Sequence, residues 1–190
     1  VGTVAEAPHA ITLVEPESCF GGFLAEIPLA TDRAYMLEGS WTDGGGSVAQ
    51  LALTEASLGP LLMSNHLSRL GTRFWGDEPG VAVAEAAVGE KLDASSALEA
   101  GIVTDAMDDL DWEDELRIFL EERAAFSPDA LVGMEANLRF AGPETMETKI
   151  FGRLTAWQNW VFQRPNASGA EGALRRYGTG VRPKYDLRRV

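Results

Sequence analysis

The chain has 190 residues, of which 45% are hydrophobic and 24% charged, and a formal net charge of −13. That length accommodates one domain with an appendage and is enough to bury a substantial core, and the ordinary composition excludes a disordered, collagenous or disulfide-stapled chain. The acidity argues against generic nucleic-acid binding, which needs Lys and Arg to neutralise phosphates. Cys19 is the one cysteine, so no intrachain disulfide can form, which fits a reducing, cytoplasmic compartment. No apolar run approaches the roughly 20 residues of a membrane span. The chain opens at Val1 in sequence that reads as a domain interior, and a fragment of a longer protein is expected.

The β-branched run 9–14 predicts a buried strand, followed at Gly21 and Gly22 by a glycine turn. Residues 23–30 carry a helical pattern in which Pro28 is awkward, so the helix starts near Ile27 or is kinked. Residues 33–37 predict a second strand, 42–47 a glycine-rich loop, 51–54 a brief strand and 55–59 a turn. Ser64 is expected to cap a short helix through Leu70. An alanine-rich helix is expected over 81–88, and Asp93 should cap another over 94–100 that Gly101 ends. Ile102 and Val103 then enter a further strand.

Trp112, Leu116, Phe119, Leu120 and Arg123 mark an amphipathic helix with acids crowding its start, where the helix dipole favours them. Ser127 and Pro128 supply an N-cap and a first-turn proline. A last long helix is expected between Pro143 and Pro165, with Trp157 and Trp160 in packing roles, and an irregular segment after it. Residues 164–190 hold seven basic side chains against Glu171 and Asp186, a local charge of +5 that leaves −18 on residues 1–163. Such a tail suits an acidic surface of the same protein or its partner, or the rim of a site for an anionic ligand.

Strands and helices alternate early and helices dominate late, which predicts an α/β core over 1–126 and C-terminal helices with a basic tail over 127–190. His9 and His66 are isolated, so no metal site is expected, and Cys19 reads as a buried structural thiol. The promising constellation is Gly21 and Gly22, then Glu26, then Glu55. A glycine turn leading into a helix presents free amides to a developing oxyanion, and two carboxylates can share general acid and base work. The bland alternative makes Glu26 a dipole-favoured helix-start acid and Glu55 a solvated loop residue.

The order of these segments resembles the crotonase (enoyl-CoA hydratase/isomerase) superfamily. The run from Gly21 through Glu26 to Asp32 resembles its glycine turn and following helix, Thr54 to Gly59 with Arg69 and Leu70 its next block, and Gly89 to Val103 the helix signature after that. The segments from Phe140 to Thr148, Phe151 to Trp160 and Arg175 to Gly180 resemble the end of its benzoyl-CoA-dihydrodiol lyase family. The resemblance implies an N-terminally truncated crotonase-like (ClpP/crotonase) α/β fold with a helical C-terminal extension. It implies a lyase that opens epoxidised benzoyl-CoA with water and releases formate, with no cofactor or metal, a CoA-thioester substrate, no nucleic-acid or membrane partner, and a homo-oligomer.

By position, Glu26 and Glu55 fall where hydratases keep their catalytic carboxylates. Phe23 and Leu24 stand where the hydratase pattern has further glycine, so the oxyanion donor is the amide of Gly22 or Phe23. Three possibilities remain open: a working oxyanion hole with Glu26 and Glu55 as acid and base, a non-catalytic structural unit of the lyase, and an ordinary enoyl-CoA hydratase or isomerase.

Overall fold

A computed structural model describes residues 10–41, 46–139 and 141–187. The glycine-rich stretch lies largely outside these, as do His9 of the first predicted strand and Arg188 and Arg189 of the tail. The chain divides into two compact units, one over residues 10–117 and one containing residues 118–187.

In the first unit, β1 (Ile11–Val14), β3 (Arg33–Leu37) and β5 (Asp105–Met107) form a parallel sheet in the order β1-β3-β5. Ile11 pairs with Arg33 and Tyr35 with Asp105. The central strand is buried at Ala34, Tyr35, Met36 and Leu37, on both faces, as a parallel strand covered on each side requires. A second, two-stranded parallel sheet joins β2 (Phe20–Gly21) to β4 (Leu51–Ala52), and Leu51 exchanges both backbone bonds with Leu92 at 3.0 and 2.8 Å. Hydroxyls tie the large sheet to its connections: Thr104 Oγ1 accepts from the Ala34 amide at 3.0 Å, and the Thr12 and Thr31 hydroxyls lie 3.0 Å apart.

Between β2 and β3 a 3-10 turn over Gly22–Ala25 runs directly into α1 (Glu26–Ala30). The join resolves the position of Pro28. The α-helical stretch opens at Glu26, so the proline falls in its first turn, where a missing N–H costs little. After β4 the chain forms α2 (Glu55–Leu58), where the sequence suggests only a turn; Thr54 caps it by accepting the Ala56 amide at 3.3 Å. The next helix, α3 (Arg69–Arg73), is capped by Ser68, not Ser64: its Oγ accepts the Gly71 amide at 3.0 Å. Residues 63–66 instead form a turn, closed by the His66 amide on the Met63 carbonyl at 2.9 Å, which withholds Ser64 from any helix start.

Helices α4 (Glu78–Ala86) and α5 (Ala94–Glu99) follow. Asp93 caps α5 as expected, accepting the Ser96 amide at 2.9 Å. Ile102 and Val103 are not yet strand. They are the buried turn before β5, with both amides bonded back to the Ala97 carbonyl.

Helix α6 (Trp112–Ala124) starts in the first unit, where buried Trp112 donates its ring N–H to Glu15 at 3.2 Å and meets Trp41 edge to face. Cys19 is exposed, not a buried thiol, because it lies in the loop before β2 rather than in the sheet interior.

The second unit packs α7 (Pro128–Leu138) against α8 (Thr155–Phe162) and α9 (Pro165–Ser168), with α10 (Ala173–Arg176) on α9. The expected single long helix is interrupted: residues Thr148–Leu154 are π-helical before α8 begins. Asp129, 1% exposed, receives the Arg164 Nε at 2.9 Å, and the guanidinium also lies 4.7 Å from the Trp160 ring centre. The segment after Pro165, expected to be irregular, carries the short helices α9 and α10, and side-chain and backbone bonds hold the stretch beyond them. Asn166 and Asp186 exchange two hydrogen bonds, and the Lys184 amide donates to the Glu171 carbonyl at 3.0 Å. Arg176 and Lys184 both pair with Glu171, so part of the basic charge is answered within the segment itself.

Candidate active site

The residues singled out from the sequence fall on neighbouring elements of the first unit. Gly22 and Phe23 open the 3-10 turn, Glu26 begins α1, and Glu55 begins α2. Helix α2 packs against the 3-10 turn, and α1 and α2 both pack against α3.

The turn has a specific backbone requirement. Gly22 has φ +57°, in the left-handed region where a Cβ is penalised, and no atom lies within 4 Å of where that Cβ would stand. Glycine is thus needed there for conformation and not for space. In a 3-10 turn that starts at Gly22, the amides of Gly22 and Phe23 precede the first i→i+3 bond, so neither has an acceptor within the turn. The Phe23 side chain is 69% exposed.

Glu26 is the buried acid of the region, at 8% exposure. Its Oε2 accepts from Arg69 Nη1 at 3.0 Å, whereas Oε1 is buried with no hydrogen-bond partner in the protein. A buried carboxylate oxygen left without a donor is costly, and native structures tolerate such groups where they have a task or a missing partner. Glu55 is exposed in the first turn of α2. Two residues further on, Ser57 is fully buried with its hydroxyl unpartnered.

Arg69 and Ser57 are the residues that sequence reasoning did not assign. A buried glutamate implies a cation nearby. Nothing in the spacing says which of Arg33, Arg69 or Arg73 supplies it, because the partner lies 43 residues along the chain. Among the described residues no group of three or more His, Cys, Asp or Glu side chains could hold a metal ion, and no helix is long and apolar enough to cross a membrane.

No protein-family profile matches the chain. It is 51% identical over 178 residues to benzoyl-CoA-dihydrodiol lyase of Aromatoleum evansii, a match covering 94% of this chain and 31% of that protein. Among solved structures it is similar to an enoyl-CoA hydratase/isomerase of Mycobacterium paratuberculosis, with a TM-score of 0.64, 14% identity, and coverage of 93% of this chain and 60% of that one. It is likewise similar to AtuE of Pseudomonas aeruginosa, with a TM-score of 0.62, 22% identity, and coverage of 91% and 60%. The chain therefore spans under a third of the lyase and about three-fifths of the structural neighbours. It has the crotonase-like α/β fold of those structures and, over nearly all its length, is similar in sequence to a part of benzoyl-CoA-dihydrodiol lyase.

Proposed function

We propose that this chain forms part of a cytoplasmic lyase that opens the ring of an epoxidised benzoyl-CoA with water and releases formate, and that the 3-10 turn and Glu26 belong to its catalytic site. The observation that carries this reading is the state of Glu26: buried, anchored through one oxygen, and unpartnered at the other, directly after two amides with no acceptor in their own turn. Sequence identity to the lyase supplies the substrate class.

In this mechanism the thioester oxygen gains negative charge as the adjacent carbon becomes enolate-like, and the amide of Gly22 or Phe23 stabilises it. One such donor is worth about 3 kcal/mol of barrier. Glu26 and Glu55 move protons between water and the opening ring. The arrangement suits two roles, because Glu26 is shielded from solvent and Glu55 is exposed to it.

A second reading makes the unit structural, and the exposed Phe23 side chain at the turn favours it, since bulk there would crowd a thioester. The two are separated by formate release in the full-length enzyme carrying Glu26→Gln or Glu55→Gln. A loss on the order of a hundredfold with unchanged melting supports catalysis. A rate within a few-fold of wild type supports the structural unit. Hydration of crotonyl-CoA as fast as ring opening would instead indicate an ordinary hydratase.

We further propose that the enzyme is a homo-oligomer assembled through the segment after Pro143, where Met146 and Phe151 are 73% and 70% exposed. Replacing both by Glu should lower the mass found by sedimentation equilibrium. An unchanged oligomer mass would refute assembly through this segment.

A further inference from the structure

We infer that Arg69 is a positioning residue: it fixes the rotation of the Glu26 carboxylate so that Oε1 is kept for the reaction. The inference rests on the proposed role of Glu26. The terminal torsion of a glutamate is soft, and only partners set it. Here one partner does so, Arg69 Nη1 on Oε2 at 3.0 Å, while Oε1 has none in the protein.

Arg69 is itself held in place. Ser68 caps the helix it opens through the Gly71 amide at 3.0 Å, and one turn on, Arg73 Nε donates to the Gly101 carbonyl at 2.6 Å. The pair is also unequal. The Arg69 side chain is 32% exposed and can be hydrated without Glu26, whereas the Glu26 side chain is 10% exposed and has no other donor. The contact therefore serves the glutamate.

The test is a double-substitution cycle on formate release by the full-length enzyme with epoxybenzoyl-CoA, using Arg69→Met and Arg69→Lys in the wild-type and Glu26→Gln backgrounds. Arg69→Met should lower kcat on the order of a hundredfold with KM within about twofold, the signature of a misplaced reacting group. Arg69→Lys, which keeps the charge but not the planar fork, should recover about tenfold of that loss and preserves the test where the Met variant folds poorly. In the Glu26→Gln background, Arg69→Met should cost nothing further, because its effect passes through the missing carboxylate.

Equal losses from Arg69→Met in both backgrounds would overturn the inference and leave the proposed function standing. So would an Arg69→Met enzyme that turns over within about threefold of wild type while Glu26→Gln is inactive. Full turnover by Glu26→Gln alone would overturn the proposed function, and the inference with it.

Discussion

The ion pair between Arg164 and Asp129 gives the sharpest stability prediction. Asp129 is 1% exposed, Oδ1 receives Arg164 Nε at 2.9 Å, and Oδ2 is buried without a partner. Arg164→Met would remove the donor and leave a buried carboxylate with neither oxygen satisfied. Breaking a buried pair from one side costs about 3–5 kcal/mol. Loss of the contact between the guanidinium and Trp160, 4.7 Å from the ring centre, adds about 0.5–1 kcal/mol at a partly exposed site.

Asp129→Asn is the informative contrast. It keeps an acceptor for Arg164 and deletes the buried charge, while the Arg164 side chain, 28% exposed, still reaches water. Its cost should be about 1 kcal/mol. Urea unfolding with a common m-value gives both numbers. By thermal melting, Arg164→Met should fall roughly 7–24 °C, at about 2–4 °C per kcal/mol for a chain of this size. Equal costs for the two variants, or a loss below about 1 kcal/mol for Arg164→Met, would show that the buried carboxylate is not held by this arginine.

Two further outcomes follow from local geometry. The Ser96 amide holds the Asp93 carboxyl below the usual carboxylate range. Its cap therefore contributes above the unfolded-state value near pH 4 and is lost as pH falls through the lower folded value. Asp93→Ala should cost about 1 kcal/mol at pH 7, at the modest end because the carboxylate is exposed, and less at a pH below both values, where the charge-dependent part is gone; a pH-independent cost in urea titrations would contradict this. Gly101 has φ +67° and a Cβ there would stand 3.1 Å from the Phe74 ring, whereas Gly22 has φ +57° with open space. Gly101→Ala should thus destabilise more than Gly22→Ala, which costs about 1–2 kcal/mol for conformation alone; the reverse order by chemical denaturation would refute the steric account.

Much of the fold is legible in the sequence because single residues carry it. Arg33–Leu37 is a nearly unbroken apolar run, as a central parallel strand must be. Asp93 marks a helix start through its side chain and Pro128 through its ring, whereas Ser127 takes the N-cap position without a side-chain cap bond. The misreadings occur where tertiary context decides. Ser64 and Ser68 offer the same capping chemistry, and the turn at His66 selects the second. Glu55 to Leu58 is too short to show helical periodicity, so its single turn passes for a loop. Cys19 belongs to a residue type that is usually buried, but the loop before β2 leaves it exposed.

At the candidate site, Gly22, Phe23, Glu26 and Glu55 are proposed from the sequence through the crotonase resemblance. The anchoring of Glu26 by Arg69 cannot, because it is a contact between α1 and α3 with no local pattern to announce it.

The most direct measurement is a crystal structure of the full-length enzyme with an unreactive benzoyl-CoA analogue. The account predicts the thioester oxygen at about 2.7–3.1 Å from the amide nitrogen of Gly22 or Phe23, with Glu26 Oε1 facing the ring carbons that react. A thioester bound elsewhere, with this turn and Glu26 Oε1 out of its reach, would contradict it.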